Sequence, residues 1–307
     1  MTKDLNSVIN LNDSEAVKAI PKCQNTIIHS RVKGFEHVYC KQPTTSVKYV
    51  ISGEESYRID GHTYRVKTDE FLIVNHDRVY EGFTSNQIET EGVCLYLHNA
   101  ILGDVFRVLD QSTSNLLDNP FEQSLQKFEF LENIYKSGKN TLGVLLRKLY
   151  RDIRQQSLRS IKEDRDLYYI FAESLLFDQH RVFEAVSRLS SIKSSTKKEL
   201  YRRVLLAKEY LDDYYYQKLD INKISQIAAL SEYHFFRTFK QVFGISPHKY
   251  LIQRRLQRAS ELLKEQNHTI TEVAYLIGFP DIHSFSKSFK KEFGITPTRF
   301  ISQKRSA

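Results

Sequence analysis

The sequence predicts an α+β protein: a small antiparallel β-barrel with accompanying helices, followed by an all-helical region in which two helix-turn-helix units are joined by a long helix. Three observations predict it. Short runs rich in β-branched and aromatic residues fill the first hundred positions, helical periodicity takes over at Ala100, and one supersecondary unit is duplicated near the C-terminus of the 307-residue chain.

The runs that read as strands are Thr26 to Ser30, Phe35 to Tyr39, Val47 to Ser52, Ser56 to Ile59, Tyr64 to Val66, Phe71 to Val74 and Val93 to Leu97. Asp60-Gly61 between two of them is a tight-hairpin signal, because both central positions of a type I′ turn need positive φ. Many short antiparallel strands predict a sandwich or small barrel. Helical spacing marks Ala100 to Leu109, Phe121 to Tyr135, Thr141 to Ser157, Glu163 to Leu189 and Lys197 to Tyr215. The small, polar stretch Ser190 to Thr196 reads as a linker. We therefore expect a barrel region over 1–99, a helical region over 100–193 and a separate helical domain over 194–307.

The duplication is direct. Phe239-Lys240-Gln241-Val242-Phe243-Gly244-Ile245-Ser246-Pro247 returns fifty residues later as Phe289-Lys290-Lys291-Glu292-Phe293-Gly294-Ile295-Thr296-Pro297. Upstream, Ile224, Ile227, Ala228 and Leu230 match Val273, Leu276, Ile277 and Phe279 as the buried face of a short helix. Ser231 is an N-cap, Phe235, Thr238, Phe239 and Val242 form the buried face of a second helix, and Gly244 closes it. The second copy has its turn at Gly278-Phe279-Pro280-Asp281, with one residue inserted, and a helix carrying Phe285, Phe289 and Phe293. Two copies are too few for a solenoid.

Between the copies, Pro247 to Glu265 reads as one amphipathic helix on Tyr250, Leu251, Arg254, Leu256, Ala259, Leu262 and Leu263. A helix of that length, about 27 Å, holds two second helices roughly one DNA turn apart, ~34 Å. Charge agrees with a polyanionic partner. Residues 195–307 hold 20 Lys and Arg against 11 Asp and Glu, a net +9, whereas residues 1–194 hold 25 against 26.

No apolar run approaches the length of a membrane span and no secretory leader is legible, so the chain reads as soluble and cytoplasmic. Cys23, Cys40 and Cys94 are scattered and read as structural thiols.

The paired Phe-x-x-x-Phe-Gly-Ile-(Ser/Thr)-Pro signatures, the joining helix, and Gly278-Phe279 followed by Phe285-Ser286-x-x-Phe289-Lys290 resemble the DNA-binding domain of the AraC/XylS family of bacterial transcription regulators, over about Lys197 to Ser302. Ser52 to Gly61 is similar to the cupin-like arm of many members. The resemblance implies a transcription regulator that binds double-stranded DNA at a promoter or operator, activates by touching RNA polymerase, and forms a homodimer through the helices of 100–193. Carried over by position, the DNA-contacting residues are Tyr233, His234, Phe236, Arg237 and Lys240 in the first unit, and Ile282, His283, Ser286, Lys287, Lys290 and Lys291 in the second. Arg237 suits a base edge, since a guanidinium bridges guanine O6 and N7. Lys240, Lys290 and Lys291, near the helix ends, suit phosphate. Phe236 and Ile282 depart from the small polar pattern, and either meet thymine methyls or pack.

A competing class is a metal-dependent cupin enzyme. It needs clustered His and carboxylate ligands, but His29, His37, His62, His76 and His98 are never two apart, and Gln42 to Ser46 stands where the ligand pair belongs. We expect no catalytic residues, no metal and no cofactor. Whether the barrel takes a small-molecule effector, answers to a protein antagonist or has no effector is left open by the residues.

Overall fold

The computed structural model describes residues 6–10, 25–34, 36–41, 43–85, 87–110, 128–155, 166–191, 193–265 and 267–305. They fall into two compact lobes, Met1–Val182 and Phe183–Ala307.

In the first lobe the strands are β1 (Asn6–Asn10), β2 (Asn25–Val32), β3 (Glu36–Lys41), β4 (Thr45–Ser52), β5 (Glu54–Ile59), β6 (His62–Lys67), β7 (Glu70–Val74), β8 (Val79–Thr84), β9 (Thr90–Leu97) and β10 (Ile134–Lys136). They form two open sheets, ordered β1-β2-β9-β4-β7-β10 and β3-β8-β5-β6. The closed barrel expected from the sequence is not what these residues build. β1 extends the larger sheet in parallel beside β2, and β10 covers the free side of β7, so strands of the same sheet occupy the edges at which closure would occur.

β4 shows how the layers are made. Val47 and Tyr49 face a core completed by three helices, α1 (Asn99–Asp110), α2 (Thr141–Arg154) and α3 (Asp166–Ser187), through Leu102, Leu146, Phe171 and Leu175. Val50, on the other side of the pleat, joins Tyr57, Val66, Leu72 and Tyr80 of the second cluster. Lys48 also points that way and is only 2% exposed. Its ammonium donates to the hydroxyls of Tyr80 (2.8 Å) and Tyr96 (2.7 Å) and lies 4.4 Å from the Tyr96 ring centre. Those contacts offset the cost of burying an ammonium, and the neighbouring Cys94, Tyr80 and Tyr96 hold its proton more firmly than usual against the opposing effect of burial. The Asp60-Gly61 hairpin is as expected, with φ of 47° and 80° and Ile59 paired with His62.

The expected helix Phe121 to Tyr135 is a correction. Its part up to residue 127 lies outside the described residues, and from Phe128 the chain is extended. Asn75 explains why: its side chain donates to the Phe130 carbonyl (2.9 Å) and accepts from the Phe130 amide (2.7 Å), while Glu132 takes the Asn75 amide (3.0 Å). Buried strand-like pairing replaces the helical hydrogen bonds. One more detail differs: Ser194 to Thr196, read as linker, begin a helix.

The second lobe contains that helix, α4 (Ser194–Asp213), then α5 (Ile221–Ile227), α6 (Glu232–Phe243), α7 (Pro247–Glu265), α8 (Ile270–Leu276), α9 (Ile282–Phe293) and α10 (Pro297–Arg305). α5 with α6, and α8 with α9, are the two helix-turn-helix units, and α7 joins them. Phe235 and Phe239 of one unit and Phe285 and Phe289 of the other are fully buried, ring edge against ring face at 5.5 Å between centres.

Candidate nucleic-acid interface

Each unit is held at the same points by different residues. In the first, the Asp220 side chain caps α5, Ala229 takes φ 50°, and the Leu230 amide donates back to the Ser225 carbonyl (3.0 Å). The Ser231 hydroxyl then accepts from the His234 amide (3.4 Å) and starts α6. In the second, Thr269 and Glu272 form a reciprocal capping box, Gly278 takes φ 85°, and the Phe279 amide donates to the Ala274 carbonyl (3.0 Å). The Asp281 carboxylate accepts from the Ser284 amide (2.7 Å) and hydroxyl (2.8 Å). Both helices end on a left-handed glycine, Gly244 at 77° and Gly294 at 76°. The Ser284 amide and hydroxyl hold the Asp281 carboxyl below the usual carboxylate range, and the Thr269 backbone does the same for Glu272.

These caps fix the alignment. Ala229 matches Gly278, and Ser231 matches Asp281, so Pro280 is the inserted residue and every α6 position corresponds to the α9 position fifty later. His234 therefore corresponds to Ser284, not to His283, which stands opposite Tyr233. Arg237 matches Lys287, Phe236 matches Ser286, and Lys240 matches Lys290.

Of the sequence-named residues on α6, Tyr233, His234, Phe236, Arg237 and Lys240 are exposed, Tyr233 to 77%. On α9, His283, Lys287, Lys290 and Lys291 are exposed, whereas Ile282 and Ser286 are half-buried. Lys240, Lys290 and Lys291 lie in the last turns, where a cation also suits the negative helix end. Tyr233 and Phe236 line the mouth of an apolar cleft of about 580 Å³, floored by Leu211, Ile224 and Leu251. Phe236 thus has apolar company on its own domain. Leu276, read from the sequence as buried, is 50% exposed, because α8 ends there and its core contacts pass to Val273, Ala274 and Ile277.

The sequence reading missed Arg255. It is 7% exposed, and its guanidinium donates to the Tyr215 (2.7 Å) and Gln217 (2.8 Å) carbonyls. Burial lowers its proton affinity. Its neighbour Arg254 carried the charged position in the sequence pattern, and nothing in the spacing separates the two.

A family model described as a helix-turn-helix domain matches residues 224–303. The chain is 27% identical over 240 residues to the probable transcriptional regulator LumQ of Photobacterium leiognathi, covering 73% of this chain and 90% of that one. It is 27% identical over 231 residues to the transcriptional activator RhaS of Escherichia coli O1:K1, covering 71% and 79%. Among solved structures, the C-terminal domain of AraT from Geobacillus stearothermophilus aligns at 29% identity over 33% of this chain and 84% of its own, with a TM-score of 0.32. The second lobe carries a DNA-binding domain of the helix-turn-helix class. More narrowly, the chain is similar to AraC-type transcription regulators.

Proposed function

We propose that the protein is a sequence-specific transcription regulator, an activator, whose two units read adjacent major-groove segments of one promoter site. The observation that carries this is the pair of helices capped at equivalent positions, α6 and α9, presenting different exposed residues and joined by a single α7. Arg237 and Lys287 sit at one shared position and reach base edges, with Tyr233, His234, Phe236, Ile282, His283 and Ser286 beside them. Lys240, Lys290 and Lys291 hold phosphates.

Residues 194–307 act as the DNA-binding domain. Residues 1–99 act as the regulatory region and 100–193 as the dimerisation region, and RNA polymerase is the downstream partner. Tyr169, Ile170 and Phe177 make an exposed apolar stripe on α3, which supports a homodimer. A non-enzymatic role fits the first lobe, where His29 is engaged with Glu91 (2.9 Å) and His98 Nδ1 accepts the Ala100 amide (3.2 Å).

Footprinting of the full chain on DNA selected from a random pool tests the reading. Two protected segments about 10 base pairs apart, without inverted symmetry, are expected. Protection of one turn only overturns it.

A further inference from the structure

The segment that leads into the first helix-turn-helix unit touches the second directly, in addition to the link through α7. From within α7, Arg255 bonds two carbonyls of the 214–220 segment that leads into the first unit, and its guanidinium carbon lies 5.9 Å from the ring centre of Phe279, in the turn of the second. A Cβ added at Gly278 would stand 2.5 Å from the Tyr216 carbonyl oxygen and 3.0 Å from an Arg255 nitrogen. Tyr215 packs against the core of the second unit, as Ile252 and Phe300 also do, with the Arg254 guanidinium 5.6 Å from its ring centre. The entry loop of one unit is thus seated on the turn of the other, and Arg255 is the pin.

A guanidinium buried on main-chain carbonyls is an expensive way to fill a helix interface, since taking a charge out of water is costly unless every bond is made. A leucine would pack there more cheaply. What Arg255 adds is geometry: a rigid fork that fixes the Tyr215 and Gln217 carbonyls against a ring.

We propose that Arg255 is a positioning residue that sets the distance and rotation between α6 and α9, and so the spacing between the two base-reading segments on DNA. The proposal rests on the DNA-reading function above. Without the pin, the units are joined by one helix with a turn at either end, and each turn is a swivel. With it, they form one body, and a change of one base pair between the segments turns one reader out of its groove.

The test uses the full chain and the Arg255→Lys variant, which keeps the charge but loses the planar fork. Affinity is measured on the selected site and on sites lengthened or shortened by one base pair between the two segments. Wild type should lose about tenfold or more on either altered site, comparable to a mismatched contact. Arg255→Lys should flatten that penalty to about threefold or less, while binding to random DNA at low salt, which depends on phosphate contacts, stays unchanged. A variant penalty equal to that of wild type overturns the proposal, as does a parallel loss on all three sites, which is what a merely loosened fold would give.

A second measurement needs no DNA. Methyl residual dipolar couplings from Ile224 and Val242 in one unit and Val273 and Ile277 in the other should fit a single alignment tensor in the unaltered chain and two in Arg255→Lys. Two tensors in the unaltered chain sink the idea even if the variant does not fold. A single-turn footprint with a single tensor would instead count against the DNA reading and leave the pin standing.

Discussion

Tyr250 on α7 donates its hydroxyl to Asp212 on α4 over 2.6 Å. Asp212 is 7% exposed, and its other oxygen takes the Lys208 ammonium at 2.9 Å, which lies 5.2 Å from the Tyr250 ring centre. α4 is therefore bonded to the helix that joins the two helix-turn-helix units.

Removing that hydroxyl with Tyr250→Phe should lower stability by about 1.5–3 kcal/mol, the range for a hydrogen bond to a charged group, read as a shift in the urea midpoint. Burial, then the Asp212 carboxylate, pushes the Tyr250 proton affinity well above that of a free tyrosine. The folded state thus keeps a proton that the unfolded chain gives up. The stabilisation is complete below the ordinary tyrosine range, about pH 10, and is lost as pH rises above it. Tyr250→Phe should show a smaller alkaline loss than wild type.

Arg237→Ala should cost about 1–3 kcal/mol at one position of the site and relax base preference there, while Lys290→Ala weakens binding to all sequences and lowers the salt slope by about one. Selection from a random pool distinguishes them. An unchanged preferred sequence in Arg237→Ala would remove it from the groove.

Gly244→Ala should be mild, about 1–2 kcal/mol, the penalty for a left-handed residue bearing a Cβ, because nothing lies within 4 Å of the new atom. Gly278→Ala should cost more, since its Cβ meets the Tyr216 backbone. Thermal unfolding of the two variants side by side checks the order. The first unit manages the same turn with Ala229, so equal losses would mean that the backbone at Tyr216 gives way.

Ser231→Ala should cost about 1 kcal/mol, the usual loss of an N-cap, and Ser231→Asp should be close to neutral, since Asp281 performs that task in the second unit. The folded proton affinity of Asp281 is depressed, so its capping contribution is present above the ordinary carboxylate range and is lost as pH falls through it. Acid unfolding followed by far-ultraviolet circular dichroism should begin earlier in wild type than in Asp281→Asn, whose cap does not titrate.

The second lobe was legible because its rules are local. Ser231 announces a helix start, Gly244 a helix end and Ser246-Pro247 a new start, and Phe235, Thr238, Phe239 and Val242 fall where 3.6-residue periodicity places a core. The first lobe was less so, because its determinants lie far apart in the chain. β10 forms because Asn75 and Glu132 organise a segment some 55 residues away, and no window of sequence contains both. β8 escaped notice because Gly82 weakens its strand signal, yet a Cβ there would stand 3.3 Å from the Tyr57 ring. Lys48 looks like a solvated charge until both faces of β4 are seen to be covered. On the candidate interface, residue types predicted exposure well, and the caps place the one-residue insertion at Pro280.

A tandem duplication has a head and a tail, and the inserted proline and unlike side chains keep the two ends from being exchanged. A molecule of this kind lays an arrow along the duplex. Turned end for end, the same site would present the opposite flank of the protein to whatever lies downstream, so position and direction are specified together by one chain, where a twofold dimer specifies position alone.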